Sequence, residues 1–222
     1  ANIAHEIRNP LGAISHSAQL LSESQNLDKV DSRMVQIIQR NSKRMNLTIE
    51  SVLNLSRKKN PKQEPILLQI WLREFLDDFI MQTKLKQGQV KLFVSPADCV
   101  VNFDPAHLHQ ILWNLCRNAA KYARPNDLHN LQLDVQAGLP DHSRDITLSV
   151  MDNGRGISNE QQQRLFEPFF TTSDTGTGLG LFMARELSLS NGASLDYLQL
   201  PRGGSCFRLV FTKSQQKSSL IK

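Results

Sequence analysis

Two amides and an ammonium group share one face of a predicted helix. Asn114, Asn118 and Lys121 follow one another at steps of four and three residues, and this spacing puts them on the same side of a helix. An amide oxygen is a neutral, hard ligand that suits Mg²⁺, and a lysine can offset the charge of a phosphate group. Asparagines on a helix are more often ordinary surface residues, so this face indicates metal and phosphate binding only together with other signals.

A carboxylate ends a predicted apolar strand and is followed by two glycines. Asp152 closes the strand expected over 146–152, and Gly154 and Gly156 come directly after it. Glycines let a ligand approach the backbone closely, and a carboxylate at such a place suits hydrogen bonding to the edge of a nucleotide base. The same residues are also ordinary components of a tight turn.

Three glycines at alternate positions lie at the start of another predicted helix. Gly176, Gly178 and Gly180 lead into a helix expected over 178–190. This arrangement exposes backbone N–H groups that can bind an anion such as phosphate. No lysine follows the glycines, so the stretch is not a Walker loop. Just upstream, residues 165–172 mix aromatic residues and proline in a predicted loop, which could also serve as a plug of the core.

Near the start of the chain, the segment HEIRNPL (residues 5–11) combines ionisable residues with a proline. His5, Glu6 and Arg8 fall within about one helical turn, and Pro10 removes the hydrogen bond that the carbonyl of Glu6 would accept. Apolar residues nevertheless continue at helical spacing, at positions 3, 7, 11, 14, 18 and 21. The proline therefore loosens a helix beside an ionisable triplet, either as the end of a surface helix or as part of a reactive site.

Length and composition exclude several classes of protein. The chain has 222 residues, of which 40% are apolar, and this is enough for one large domain or two small ones with packed cores. The net charge is +5, but Lys and Arg are scattered and aromatic residues are few, so we expect a solvated basic surface and no nucleic-acid partner. No apolar run approaches the roughly 18 residues that a bilayer-spanning helix needs.

The three cysteines are far apart in the sequence and lie in apolar surroundings. Cys99, Cys116 and Cys206 are odd in number, which argues against a disulfide framework. We expect them to be reduced, buried thiols in a cytosolic setting rather than disulfides or metal ligands.

Residues 1 to about 58 have the pattern of a helical hairpin. In the second helix, apolar positions alternate steps of four and three from Met34 to Leu55, which is the pattern of a coiled-coil seam. Asp31 is the predicted N-cap of this helix. Asn41 lies on the seam and could set its register or be a tolerated polar residue. Two helices of this length cannot bury both apolar stripes alone, so we expect two chains to form a four-helix bundle.

A basic, proline-ended linker over 57–62 precedes a region of mixed pattern. Helices are predicted over 71–86, from Asp104 to about 123, and over 178–190. Strands are predicted over 90–94, 100–103, 131–136 and 146–152, with a hairpin over 193–211 that turns at 201–204. Strands and helices that do not strictly alternate favour an α+β sandwich, in which helices cover one mixed sheet.

Taken together, the four stretches resemble the N, G1, F and G2 boxes of the ATP-binding fold shared by histidine kinases, Hsp90-type chaperones and MutL-type proteins. HEIRNPL, ahead of them on a hairpin, resembles the H box of a sensor histidine kinase. The resemblance covers essentially the whole chain. Within these kinases, the stretches FFTTSDTGTGLGL and ARELSLSNGASLDY are most similar to the NtrB and PilS group, with PilS the nearer.

The resemblance implies a role for each residue that matches a motif. His5 would take the γ-phosphoryl group of ATP, Glu6 would accept a proton from the ring or hold its tautomer, and Asn9 would position water for dephosphorylation of a partner. Asp152 would accept a hydrogen bond from the adenine amine, and Asn118 would bind Mg²⁺ with Asn114 as a helper. The remaining positions implied in ATP binding are Lys121, Tyr122, Gly154, Gly156, Thr172, Gly176, Thr177, Gly178, Leu179 and Gly180.

Residues between 158 and 175 would form a lid over the phosphates, and one departure from the family falls there. Many relatives carry a lysine in this stretch, whereas Asp174 and its neighbours supply none. An inward-facing acid would repel the γ-phosphate, so the resemblance leaves catalytic efficiency open while it still implies ATP binding.

The implied fold is α+β: a helical hairpin that forms a dimeric four-helix bundle (1–60), followed by an α/β sandwich of the GHKL/Bergerat type (61–222). The implied protein is the cytoplasmic core of a bacterial inner-membrane sensor whose N-terminal sensor region is missing. Its implied partners are a second copy and the receiver domain of a response regulator, of the sigma-54 activator type if the PilS likeness holds. Alternatives are an ATPase clamp of the same fold, or a nucleotide-binding dimeric scaffold without phosphorelay.

Overall fold

The structure is a computed structural model, and two compact units make up the chain. It describes residues 2–24, 27–56, 61–83, 85, 87–123, 131–137, 145–173, 176–201 and 203–212. For residues 2–8, 43–44, 47–56, 87 and 131–137 it describes the backbone alone. The first unit comprises Ala1–Lys59 and Glu167–Leu179, and the second comprises Asn60–Phe166 and Gly180–Lys222.

A helical hairpin forms the main part of the first unit, as predicted. Helix α1 (Asn2–Ser22) runs without interruption through Pro10, and helix α2 (Lys29–Ser56) packs against it. The side chains buried in the hairpin recur at steps of seven residues on each helix: Leu11 and Ala18 on α1, Val35 and Ser42 on α2. The side chain of Gln39 reaches across and donates to the carbonyl of Ala18 at 3.3 Å.

The apolar stripe that the sequence indicates on α2 is a different face from this buried seam. Met34 is 57% exposed, Ile38 40% and Met45 48%. Asn41 lies on the same exposed face, and its amide donates to the carbonyl of Ile37 at 2.9 Å. The pairing of α1 with α2 therefore uses one side of α2 and leaves its more regular apolar stripe uncovered.

The predicted N-cap of α2 is wrong by three residues. Asp31 lies inside the first turn of the helix, and the carboxylate of Asp28 accepts the backbone N–H of Asp31 at 2.7 Å. The backbone carbonyl of Asp28 also accepts the N–H of Ser32 at 3.0 Å. Both aspartates suit a cap by residue type, and the choice depends on where the turn from α1 releases the chain.

The second unit contains four helices and seven strands among its described residues. The helices are α3 (Leu68–Gln82), α4 (Pro105–Tyr122), α5 (Asn159–Arg164) and α6 (Gly180–Ser190), with a 3₁₀ turn at Gln87–Gln89. The strands are β1 (Glu64–Leu67), β2 (Val90–Ser95), β3 (Val100–Phe103), β4 (Leu131–Ala137), β5 (Ile146–Asp152), β6 (Ser194–Gln199) and β7 (Ser205–Phe211).

The principal sheet has the strand order β2-β4-β5-β7-β6, and only the β2–β4 pair is parallel. Strand β5 lies at its centre, and all of its residues except Met151 are buried. Strands β1 and β3 form a separate antiparallel pair. Helices α4 and α6 pack on each other, α4 also contacts β5, and α6 contacts β6. The fold class is therefore confirmed: a helical hairpin and an α/β sandwich with helices layered on a mixed sheet.

Aromatic rings join α3 to α4 within the helical layer. Phe75 and Phe79 are buried on α3, and Trp71 stacks on Phe75 at 5.7 Å between ring centroids. On α4, Trp113 meets Phe79 edge-on at 5.2 Å. These contacts fix α3 beside α4, and α4 is the helix that carries the predicted amide face.

Helix α3 begins three residues earlier and ends four residues earlier than predicted. Its N-cap is Leu67, which makes no side-chain capping bond, so the sequence carries no start signal there. The N–H of Leu68 instead bonds the carbonyl of Cys99 at 3.0 Å, which continues the pairing of β1 with β3. At the other end, the hydroxyl of Thr83 bonds the carbonyl of Phe79 at 2.8 Å and helps to stop the helix.

The three cysteines lie in the second unit and are free thiols. Cys99, Cys116 and Cys206 are all buried, as predicted, and burial raises the pKa of the Cys116 thiol far above its usual range.

Among the helices that the structure describes, none is both long enough and apolar enough to span a lipid bilayer.

Replacing Asp28 by Ala should destabilise the hairpin by about 1 kcal/mol, the usual cost of losing an N-cap. Asp31→Ala should cost less, because a first-turn acid contributes only a favourable interaction with the helix dipole. Circular dichroism during denaturation follows the helices of both units, so a shift that appears in circular dichroism and not in tryptophan fluorescence belongs to the hairpin. Trp71 and Trp113 both lie in the second unit, so tryptophan fluorescence supplies an internal reference that neither variant should shift. A larger effect of Asp31→Ala would restore Asp31 as the cap.

Candidate functional site

Helix α4 carries the predicted amide face to one side of its core face. The carboxylate of Asp104 caps the helix by accepting the N–H groups of Ala106 at 3.0 Å and His107 at 3.2 Å, and Pro105 occupies the first turn. One face of the helix is buried in the core by Leu108, Ile111, Leu112, Leu115, Cys116 and Ala119. Asn114 and Asn118 lie half-buried off this face, and Lys121 is exposed. The core residues therefore decide the direction in which the two amides point.

The last turn of α4 meets the loop that follows β5. The Lys121 ammonium lies 5.4 Å from the centre of the Tyr122 ring. A Cβ atom added at Gly154 would lie 2.5 Å from the Tyr122 carbonyl oxygen and 2.7 Å from the Asp152 carboxylate. No side chain fits at this position, so Gly154 lets the loop pass directly beside the end of the helix.

Asp152 is buried at the end of β5, with 7% of its surface exposed. Its Oδ1 atom accepts the N–H of Gly154 at 2.8 Å and the N–H of Ser205 at 3.3 Å. Burial raises the pKa of the Asp152 carboxyl, and the hydrogen bonds from Gly154 and Ser205 only partly oppose this shift. The site is therefore a carboxylate in a poorly solvated place, held by neutral donors, with further lone pairs suited to an amine donor of a base.

Sequence reasoning missed Ser205 on β7, which supports this carboxylate, and Tyr197 on β6, which supports the loop after it. Ser205 opens β7 and reaches Asp152, because the antiparallel register pairs Met151 with Cys206. The Tyr197 hydroxyl on β6 accepts the N–H of Ile157 at 3.2 Å, just beyond the glycine loop. No local spacing links position 205 to position 152, and the segment 201–204 indicates only a turn.

The start of α6 lies against α4. A Cβ atom added at Gly180 would lie 3.5 Å from the Asn114 side-chain oxygen, so the first residue of α6 makes ordinary van der Waals contact with the amide face. Within the second unit, Asn114, Asn118, Tyr122, Asp152 and Gly154 thus follow one continuous path from α6 along α4 to the end of β5. Gly156 adjoins this path, next to Gly204 in the turn before β7.

The other predicted phosphate-binding residues lie in the segment Glu167–Leu179, which belongs to the first unit. Gly178 has a positive φ of +70°, and its backbone abuts that of Phe169, which itself has a φ of 68°. The Thr177 hydroxyl accepts the N–H of Leu179 at 3.4 Å. Thr172 is exposed, Gly176 is half-buried and Leu179 is buried. The tight turn therefore depends on glycine at position 178, where other residues would be strained.

The predicted lid includes regular structure in its first half. Ser158 caps α5 by accepting the N–H of Gln161 at 3.4 Å, and Leu165 after the helix is buried. Asp174 and Thr175 lie outside the described residues. Arg164 is exposed in the last turn of α5, and Arg155 is exposed in the glycine loop before the predicted lid.

The HEIRNPL segment lies on the first half of α1. Only the backbone of His5 and Glu6 belongs to the described part of the chain, so their side chains lie outside it. Asn9 and Pro10 are exposed on the helix surface. Asn9 follows His5 by four residues on a continuous helix, which puts both residues on one face.

Comparison with known proteins finds two family matches. The family of histidine kinase-, DNA gyrase B- and HSP90-like ATPases matches residues 103–215, and the His kinase A (phospho-acceptor) domain matches residues 1–61. The first match spans the site built on α4, β5 and α6. The second spans the helical hairpin with HEIRNPL.

Individual relatives agree with both matches. The sensor protein kinase PilS of Pseudomonas aeruginosa is 44% identical over 98% of this chain, and the chain covers 41% of that protein. The histidine-protein kinase AtoS of Escherichia coli is 29% identical over the whole chain, which covers 35% of it. A crystal structure of full-length ShkA in complex with AMPPNP is similar in fold, with a TM-score of 0.68 and 24% identity over 95% of this chain and 44% of that one. The chain thus spans about two fifths of the curated relatives.

Replacing Asp152 by Asn should weaken ATP binding and at the same time stabilise the empty protein. Loss of a hydrogen bond to a charged partner costs about 1.5–3 kcal/mol, so ATP affinity measured by calorimetry should fall roughly 10- to 150-fold. An unchanged affinity would mean that another residue reads the base.

The stability effect of Asp152→Asn depends on pH. The raised pKa means that the folded protein holds the proton more tightly than the unfolded chain, so stability falls as pH rises from 3.8 through the folded-state pKa. Asn cannot ionise, so the variant should unfold at higher denaturant concentration than the parent near pH 7.5, and the gain should vanish near pH 3. Asp196→Asn on β6 removes an exposed acid and is the matched control, with no effect expected on either measurement.

Proposed function

The chain belongs to the histidine kinase-, DNA gyrase B- and HSP90-like ATPases, as a member of the sensor histidine kinases, and on this basis we propose that it transfers the γ-phosphoryl group of ATP to His5. The observation that carries the proposal is the buried carboxylate of Asp152, set between the glycine loop and Ser205 at the end of α4. This arrangement occurs in the same chain as a hairpin that matches the phospho-acceptor domain.

The residues of the second unit fit a purine nucleotide. Asp152 supplies a hydrogen-bond acceptor of the kind that the exocyclic amine of adenine requires. Gly154 and Gly156 keep the walls beside it free of side chains, and Tyr122 is 40% exposed at the end of α4. These features support a role for Asp152 in choosing adenine and for Gly154 and Gly156 in admitting the ring.

The amide face of α4 fits a metal ion and phosphate, and we propose that the glycine turn also binds phosphate. Asn118 would bind Mg²⁺ through its amide oxygen, with Asn114 beside it, and Lys121 would offset phosphate charge. Thr172 and the residues from Gly176 to Gly180 would line the phosphates with backbone N–H groups. A bound Mg²⁺ would neutralise the negative charge that develops on the transferred phosphoryl group.

His5 is the proposed nucleophile. An imidazole has an unperturbed pKa of about 6.5, so near pH 7.5 it is mostly neutral and has a lone pair available for attack. The ring nitrogen forms a bond to the γ-phosphorus, the bond from that phosphorus to the bridging oxygen breaks, and ADP leaves with the electron pair. Glu6 accepts the ring proton or holds the reactive tautomer, and an aspartate of a response regulator then takes the phosphoryl group from His5.

A second copy of the chain is the proposed partner of the hairpin. Large apolar side chains remain exposed on both helices: Ile14, Leu20 and Leu21 on α1, and Val30, Met34, Ile37, Ile38 and Met45 on α2. Exposed apolar surface of this extent is typical of an interaction site. Pairing of two hairpins into a four-helix bundle would cover it.

We further propose the division into a dimerisation and phosphotransfer domain (1–60) and a catalytic domain (61–222). The chain would act as the cytoplasmic portion of a longer bacterial membrane sensor. On the resemblance to the PilS group, its response regulator would be a sigma-54-type transcription activator.

Incubation with ATP and Mg²⁺ should label the protein on His5 alone, and His5→Gln should abolish the label. The label should resist base and be lost in acid, because a phosphorus–nitrogen bond to imidazole has that stability. His16→Gln is the matched control, since His16 is exposed on the same helix and lies outside HEIRNPL. Label that survives in the His5→Gln protein would overturn the assignment.

Replacing Asn9 by Ala should slow dephosphorylation of the regulator without affecting autophosphorylation. Asn9 is exposed one turn after His5, and an amide can both donate to and accept from a water molecule, so it can orient water for attack. Decay of a phosphorylated receiver domain, followed with ADP and either protein, should slow by about one to two orders of magnitude. Transfer from ATP to His5 needs no such water and should keep its rate. Equal decay rates would leave Asn9 as a residue that merely precedes Pro10.

A further inference from the structure

The carboxylate of Asp104 holds two separate parts of the second unit. Its Oδ1 atom caps α4, as described above, and its Oδ2 atom accepts the backbone N–H of Lys62 at 2.8 Å. Asp104 is 9% exposed. Burial acts to raise the pKa of Asp104, but the N–H groups of Lys62, His107 and Ala106 and the charge of His107 outweigh it, so the pKa lies below its usual value. The ionised carboxylate is thus satisfied on both oxygens, once by a helix and once by the chain that enters the domain.

Asn191, after the end of α6, completes the cluster. Its side-chain oxygen accepts the N–H of Asp104 at 3.1 Å, and its amide donates to the carbonyl of Leu187 at 2.8 Å and meets the His107 ring at 2.9 Å. Its backbone carbonyl accepts the Gln63 side chain at 3.1 Å. Asn191 is 2% exposed, so this polar group is satisfied inside the protein rather than by water.

The cluster joins three elements that matter for the proposed reaction. Lys62 is the last residue of the predicted linker from the hairpin that carries His5, and Gln63 follows it directly. Helix α4 carries Asn114 and Asn118, and α6 begins at Gly180 beside Asn114. All of the cluster residues lie in the second unit. The buried cluster around Asp104 and Asn191 therefore attaches the end of the linker to α4 and α6, the two helices of the proposed nucleotide site.

We propose that Asp104 is a positioning residue for phosphoryl transfer, because it anchors the linker to the nucleotide-binding helices through the Lys62 amide. The inference rests on the proposed function. Transfer requires that ATP bound in one unit meet His5 in the other, and the linker limits where that unit can go. Releasing the Lys62 amide lengthens the stretch of chain between α2 and the first anchored residue of the second unit, which lowers the frequency of productive encounters between ATP and His5. Nucleotide binding depends on groups further along α4 and β5 and stays unaffected.

Asp104→Asn separates the two roles of the carboxylate. Asn is as good an N-cap as Asp, so the amide oxygen can keep its bonds to the first turn of α4. The amide nitrogen then replaces the oxygen that faces Lys62, and a nitrogen that carries hydrogens cannot accept the Lys62 N–H. Asp98→Asn is the matched control, because it removes one exposed acid from the loop between β2 and β3.

A second pair of variants tests the donor instead of the acceptor. Lys62→Pro removes the backbone N–H and leaves Asp104 intact, whereas Lys62→Ala removes an exposed side chain and keeps the N–H. Lys62→Pro should behave as Asp104→Asn does, and Lys62→Ala should behave as the parent. This pair keeps the test decisive if Asp104→Asn fails to fold.

The measurements combine kinetics with amide exchange in the full chain. In Asp104→Asn and Lys62→Pro, the rate of autophosphorylation at saturating ATP should fall about three- to tenfold, with the KM for ATP and the calorimetric ATP affinity within about twofold of the parent. In Asp104→Asn, hydrogen exchange at Lys62 should quicken at least about tenfold, while Ala106 and His107 stay protected.

Three results would overturn the proposal. Unchanged exchange at Lys62 in Asp104→Asn would show that the tether does not hold in solution. Faster exchange with an unchanged transfer rate would show that the tether does not govern transfer, and a parallel loss of ATP affinity would make Asp104 part of the binding site itself. Absence of label on the unmodified chain would instead overturn the proposed function, and the exchange measurement would still decide the tether.

Discussion

The burial of Asp152 at the end of the central strand is the constraint on which the second unit is organised. An ionised carboxylate away from water is costly unless donors surround it. The donors come from two places: the glycine loop that follows β5 and the first residue of β7. The loop can turn back so tightly only because Gly154 has no side chain to collide with the end of α4. The buried position of Asp152 therefore requires three features together: the register between β5 and β7, the length of α4 and the glycine at position 154.

The two buried aspartates, Asp104 and Asp152, have pKa values shifted in opposite directions. Both are buried, and burial acts to raise the pKa of each. At Asp104, three backbone N–H groups and the nearby His107 outweigh burial, so the pKa is lowered and the charge is a stable part of the fold. At Asp152, burial outweighs the hydrogen bonds from Gly154 and Ser205, and the pKa is raised. A carboxylate whose charged form is not fully stabilised in the empty protein is suited to a ligand that brings a further donor, at some expense in stability.

The hairpin uses apolar surface differently. Its helices contact each other through a narrow seam at Leu11, Ala18, Val35 and Ser42, in which two of the four residues are small. The longer apolar residues point elsewhere and remain exposed. Within the hairpin, one described side-chain atom, the Ser42 hydroxyl, is buried without a hydrogen-bond partner. A pair of helices with so slight a seam gains little stability from its own contacts, so the exposed stripes carry most of the apolar surface that a bundle would bury.

Local patterns in the sequence determined the type of most elements and the chemistry of the site. Helical spacing predicted both helices of the hairpin, and Asp104 with Pro105 predicted the start of α4. The stretches around Asn114, Asp152 and Gly176 indicated a nucleotide site. All of these signals depend on residues only a few positions apart. Contacts between distant positions decided the rest. Asp28 rather than Asp31 caps α2, α3 starts at Leu68 through a bond to Cys99, and Ser205 supports Asp152 through the β5–β7 register. Such partners are chosen by the packing of whole elements, and a hydrogen bond between residues 53 positions apart leaves no periodicity in the sequence from which it could be predicted.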